Sequence, residues 1–260
     1  MQNRYTGDVG DFGKYGLLRA LCAADTSLRL KLGVVWYLIP CETHNEDGKH
    51  INYLRNVTKA ATARLKNCDP MLYDGLRKLF INDRNEIVTE RRLVAAIESS
   101  GLLPSGTAFY DAPLSYSRQM PTSDRLRLRS AWLQGALKAT ASADLVFLDP
   151  DNGIECKSVG RTDLPGPKYV YWEEIESFVD RGQSVVVYHH LNRSCPSTEQ
   201  VEKLQTEFCK RMPDDFKTSV IIYRRGTRRA YFVVAAAEHR VVLVNELSRM
   251  LARWQDHFLN

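Results

Sequence analysis

Three apolar runs without internal polar relief constrain this chain most: Leu32-Gly33-Val34-Val35-Trp36-Tyr37-Leu38-Ile39, Asp144-Leu145-Val146-Phe147-Leu148-Asp149 and Ser184-Val185-Val186-Val187-Tyr188-His189. A strand with one wet face alternates apolar and polar residues, whereas continuous runs of this length belong to strands covered on both faces. Such strands need helices on either side. The intervening sequence supplies them, with helical spacing predicted over about 49 to 66, 70 to 80, 90 to 99, 123 to 140 (Ser123 as N-cap), 172 to 180, 197 to 212 and 242 to 258. Short strands are expected at Glu86 to Val88 and Thr107 to Asp111. A further pair, Ser219 to Tyr223 and Ala230 to Ala235, flanks the tip Arg225-Gly226-Thr227 and reads as a hairpin. The expectation is an α/β fold: a doubly wound, mostly parallel sheet with a C-terminal antiparallel hairpin and a terminal helix.

No repeat or Pro/Gly/Ser-rich linker divides the 260 residues, so a single α/β domain over 1–260 is expected, with 1–30 an N-terminal helical segment containing a short helix at Leu17 to Cys22. With 44% hydrophobic and 26% charged residues the composition is that of a globular chain. Nothing approaches the length of a membrane span, and Met1-Gln2-Asn3-Arg4 does not begin a signal segment, which predicts a cytoplasmic protein. Six cysteines lack any CxxC spacing, so neither a zinc site nor a disulfide framework is indicated. The net charge of +5 permits an anionic partner. Arg125, Arg127 and Arg129 form one basic cluster, and Arg224, Arg225, Arg228 and Arg229 another at the hairpin tip; each is either a solvated face or a contact for a nucleic-acid backbone.

Ligands of open α/β sheets bind beyond the carboxyl ends of the strands. Four such ends carry polar groups: Cys41-Glu42-Thr43-His44-Asn45, Asp111, Asp149-Pro150-Asp151-Asn152-Gly153 and His189-His190-Leu191-Asn192-Arg193. The third is the sharpest, because an acid at the tip of an apolar strand followed by proline leaves its carboxylate aimed into the crevice. A plain strand cap and turn is the alternative there.

The strand order and these motifs resemble class I S-adenosylmethionine-dependent methyltransferases, nearest to the adenine-N6 amino-methyltransferases of ribosomal RNA and DNA. Leu148-Asp149-Pro150-Asp151-Asn152 is similar to their Asp/Asn-Pro-Pro-aromatic motif, with Asp151 and Asn152 in place of the second proline and the aromatic. Gly10-Asp11-Phe12-Gly13-Lys14-Tyr15 and Glu42-Thr43-His44 resemble two further segments, without the glycines that follow the latter in the family. The resemblance implies methyl transfer from S-adenosylmethionine to an amino nitrogen of DNA or RNA. Asp149, Pro150, Asp151 and Asn152 would then be catalytic; Lys14, Glu42, Thr43, His44 and Asp111 would bind the cofactor; and Arg224, Arg225, Arg228 and Arg229 would meet the nucleic acid. Two other readings stay open. One is a nuclease with a divalent metal on Asp149, Asp151, Glu155, His189 and His190. The other is a non-catalytic nucleic-acid or nucleotide-binding protein on the same fold.

Overall fold

The computed structural model describes residues 1–23, 29–42, 48–55, 60–192 and 195–259. In chain order the described elements are α1 (Val9–Leu21), β1 (Leu32–Val35), α2 (Ala60–Cys68), α3 (Pro70–Phe80), α4 (Val94–Glu98), β2 (Ala108–Tyr110), α5 (Thr122–Ala139), β3 (Leu145–Leu148), β4 (Gly153–Ile154), β5 (Tyr169–Val170), α6 (Trp172–Val179), β6 (Ser184–His190), α7 (Ser197–Arg211), β7 (Lys217–Tyr223), β8 (Arg229–Ala235), α8 (Arg240–Arg253) and β9 (Phe258–Leu259).

Seven strands form one sheet in the order β2-β1-β3-β6-β8-β7-β9. The pairs β2·β1, β1·β3 and β3·β6 are parallel, β8 runs antiparallel between β6 and β7, and β9 is antiparallel to β7. The hairpin expected from the sequence is therefore present, and its second strand is the one inserted beside the parallel half. Alternate residues of the apolar runs feed two cores. Val34, Phe147 and Val186 pack with α1, α3 and α8 on one face. Val35, Val146, Leu148, Val185 and Val187 pack with α5, α6 and α7 on the other. Helices on both faces explain why these strands carry no polar alternation. Among the described residues, no helix is long and apolar enough to cross a membrane.

Three expectations are corrected. The run after Leu32 is strand only as far as Val35, because Tyr37 takes a positive φ of 45° and turns the chain out of the sheet. Glu86 to Val88 forms only a bridge between Ile81 and Ile87, and the helix near 90–99 is a short turn at Thr89–Arg91 followed by α4. The short helix expected at Leu17 to Cys22 is instead the end of a longer one: the segment around Gly10-Asp11-Phe12-Gly13-Lys14 forms the first two turns of α1, which begins eight residues before Leu17. Gly10, Gly13 and Gly16 recur every three residues and so lie on one side of that helix. Their missing side chains let the helix approach Arg229, Tyr223 and Trp254; a Cβ added at Gly13 would sit 2.6 Å from the Tyr223 ring.

Candidate functional site

The chain leaves β1 toward β2 on one side, while β3 leads to β6 on the other, so the loops diverge above the β1/β3 junction and leave a crevice. A cavity of about 380 Å³ occupies this mouth. Its walls come from α1 (Asp8 as cap, Asp11, Lys14), the segment after β1 (Glu42), the turn after β3 (Asp149, Pro150, Asp151, Asn152), β6 (Tyr188, His190) and the hairpin (Thr227, Arg229). The volume lies within the range of small-molecule sites.

At the base, the Lys14 ammonium donates to Asp11 Oδ1 at 2.8 Å and to Asp149 Oδ2 at 2.7 Å. All three side chains are at most 4% exposed. Burial alone would pull the lysine down, but the two carboxylates more than offset it and hold Lys14 above its ordinary value, so it is charged at neutral pH. The ammonium also lies 5.8–6.0 Å from the ring centres of Tyr15, Trp36, Phe147 and Tyr188. Asp11 is fixed in turn, its second oxygen accepting from the Tyr15 hydroxyl (2.8 Å) and the Gly7 amide (3.1 Å). Asp8 caps α1 by accepting from the Asp11 amide, and its other oxygen stands 3.6 Å from Arg229.

The rim is built differently. Asp149 is followed by a turn whose Gly153 has φ 113°, and the ring of His189 packs so close to this glycine that an added Cβ would fall 2.5 Å from its Nδ1. Asn152 ties the turn to its neighbours, its amide donating to Lys168 O and its carbonyl accepting from His190 N. Asp151, with a side chain 4% exposed, accepts from Gln2 Nε2 at 3.1 Å through Oδ2 and stands 3.8 Å from Lys168. Its Oδ1 is buried with no hydrogen-bond partner among the described residues, the Met1 amino nitrogen being 3.9 Å away. A carboxylate oxygen left in that state costs free energy unless something donates to it. Glu42 pairs with Lys168 and Arg4.

Of the residues singled out in the sequence, Asp149, Pro150, Asp151, Asn152, Lys14 and Glu42 meet at this cavity. Thr43 and His44 lie outside the described residues. Asp111 is exposed at the end of edge strand β2 and does not line the cavity. Arg224 and Arg228 are exposed, Arg225 is half-buried, and Arg229 is buried as part of the cavity wall, so the four arginines do not form one surface. Arg129 is also a correction: it is buried and forks onto Glu174 (2.6 and 2.9 Å), which leaves it nothing to offer a phosphate.

The metal set fails on geometry. His189 Nδ1 accepts from the Ile154 amide, Glu155 accepts from the Trp172 amide, and no group of three His, Cys, Asp or Glu side chains among the described residues is placed to share an ion. Burial pushes His189 down to about 4, so it is neutral as this contact requires. Sequence reasoning missed Tyr5, Asp8, His50, Lys168 and Thr227 in the lining, and Gln2, which donates to Asp151. The Asp11/Lys14 spacing of three residues was a usable signal for one helical face; nothing local marks Gln2 or Lys168. No protein-family model, no curated protein and no solved structure matches the chain.

Proposed function

We propose that the protein transfers a methyl group from S-adenosylmethionine to an amino nitrogen of a nucleic acid. The reading is carried by the Asp149-Pro150-Asp151-Asn152 turn, which lines a nucleoside-sized cavity at the mouth of β3 beside a reversed strand inserted next to the parallel strands. The lining is charged with both signs, Asp8, Asp11, Glu42, Asp149 and Asp151 standing beside Lys14, Lys168 and Arg229, and Asp151 Oδ1 keeps no hydrogen-bond donor among the described residues. When bound, S-adenosylmethionine supplies a methyl group on a positively charged sulfur.

The chain's own contribution is positioning. Asp149 is held by Lys14, so the acceptor is Asp151, whose Oδ1, buried and without a hydrogen-bond donor among the described residues, receives an N–H of the target amine and orients the nitrogen lone pair. S-adenosylmethionine would supply the methyl group and keep the carbon–sulfur electron pair; the chain's part would be to take the surplus amine proton on the Asp151 carboxylate or pass it to water. Asp149 and Lys14 fix the turn that carries Asp151.

A second reading, a nucleotide-binding protein without transfer, is favoured by one observation. β1 runs into Trp36 and Tyr37, both fully buried, where close approach of a cofactor would call for glycine. Titration calorimetry with S-adenosylmethionine separates the two. Saturable binding at one site supports transfer; no heat at millimolar ligand removes it.

A further inference from the structure

A second cavity, of about 450 Å³, adjoins the first. His50 lines both, and Gly226 of the second is followed directly in the chain by Thr227 of the first. The hairpin tip closes this partition: Gly226 has φ 71°, and a Cβ placed there would lie 3.2 Å from Val9 and 3.6 Å from the His50 ring. Two arginines straddle it. Arg229 faces the first cavity and donates to the Arg225 carbonyl at 2.9 Å, while Arg225 lines the second.

The two spaces differ in charge. The first carries five carboxylates beside the cations Lys14, Lys168 and Arg229; the described residues facing the second are Val9, Lys49, His50, Asn52, Tyr53, Arg225 and Gly226, none of them acidic. Arg225 is braced from behind, its Nε donating to His257 Nδ1 at 2.7 Å and its Nη2 to Asp256 O at 3.2 Å. Tyr53 is held by its hydroxyl on Gly7 O (3.2 Å) and by its ring against Phe12. A braced guanidinium with Lys49 and His50 beside it, and no acid among the described lining residues, favours an anion with several acceptor oxygens. A molecule that fills both spaces carries N–H donors at one end and an anionic group at the other.

We infer that the second cavity is a phosphate subsite, and that the two together hold a nucleoside phosphate, amine-bearing base toward Asp151 and phosphate on Lys49, His50 and Arg225. The base placement rests on the transfer reading; the phosphate placement rests on the second cavity alone.

The test is calorimetry with adenosine and cytidine, their 5′-monophosphates, and a trinucleotide with internal phosphodiesters, against wild type and Lys49→Gln. Lys49 is exposed, so this variant leaves the cores untouched. The monophosphate or the trinucleotide should bind about tenfold or more tightly than the nucleoside, the size of one charge-assisted contact. Lys49→Gln should remove most of that advantage while nucleoside affinity stays unchanged. Preference for the trinucleotide identifies a strand as the source of the phosphate, preference for the monophosphate a free nucleotide. Equal affinity with and without phosphate, an unchanged ratio in the variant, or no binding of any probe overturns the inference. A phosphate advantage without S-adenosylmethionine binding keeps the subsite and removes transfer; the reverse pattern keeps transfer and removes the subsite.

Discussion

Lys14 and Asp149, 135 residues apart, form a 2.7 Å ion pair that ties the first helix to the tip of β3 with both side chains buried. Asp11 completes the group from the same helix face. Removing the central cation leaves two buried carboxylates facing each other. Lys14→Met should therefore cost about 3–5 kcal/mol in urea unfolding, the usual penalty for an orphaned buried charge. Lys14→Met with Asp149→Asn should recover part of that loss, giving a favourable coupling in the double-mutant cycle. Additive losses would mean that the pair is not a structural unit.

Gly13 gives a substitution whose sign opposes helix propensity. Alanine is intrinsically better than glycine inside a helix by about 1 kcal/mol. At Gly13, however, the new methyl meets the ring of Tyr223, which is fully buried and anchored by its hydroxyl on Val9 O at 2.8 Å. Overpacking of this kind costs about 1–3 kcal/mol, so Gly13→Ala should lower the thermal midpoint. A raised midpoint would show that the helix can shift away from the sheet.

The glycine stripe also shows where sequence reading succeeded and where it stopped. The apolar runs and the closing pair of strands reported the sheet because burial on both faces leaves a local signature. The mouth of β3 was legible for the same reason: Asp149-Pro150 ends an apolar run abruptly. Gly10, Gly13 and Gly16 left the start of the first helix unread because glycine weakens local helix propensity, and only the distant partners Arg229, Tyr223 and Trp254 explain them. The arginines of the hairpin looked alike in sequence, yet packing buries Arg229 in the cavity wall and leaves Arg228 exposed. Gln2 and Lys168 reach the site through long-range contacts that no spacing announces.

Arg129 and Glu174 make a buried fork, reinforced by the Arg129 contacts to Gly166 O and Tyr169 O and by Tyr37 donating to Glu174. Arg129→Met should destabilise by about 3–5 kcal/mol. It should leave the oligonucleotide affinity of the folded fraction unchanged. A specific loss of nucleic-acid binding at full stability would return Arg129 to the binding surface.

Acid sensitivity should trace in part to His189, with His257, which burial also lowers to about 4, acting in the same window. The folded value of His189, about 4, lies below the ordinary 6.5, so between these limits the unfolded chain holds the extra proton. Stability is fully present above pH 6.5 and falls as the pH drops toward 4, by up to about 3 kcal/mol for this one group. Unfolding of wild type and His189→Gln at pH 7 and pH 4.5 should show a smaller acid loss in the variant. Identical losses would place the sensitivity elsewhere.

The central claim is methyl transfer directed by Asp151. The direct measurement is incorporation of labelled methyl from S-adenosylmethionine into RNA and single-stranded DNA by wild type and Asp151→Asn, with folding of both checked by circular dichroism. Wild type should label one of the two polymers at an amino nitrogen, and the variant should fall on the order of 100-fold, the scale of a misplaced reacting group. Absence of label in both polymers, or equal labelling by the two proteins, would contradict the account.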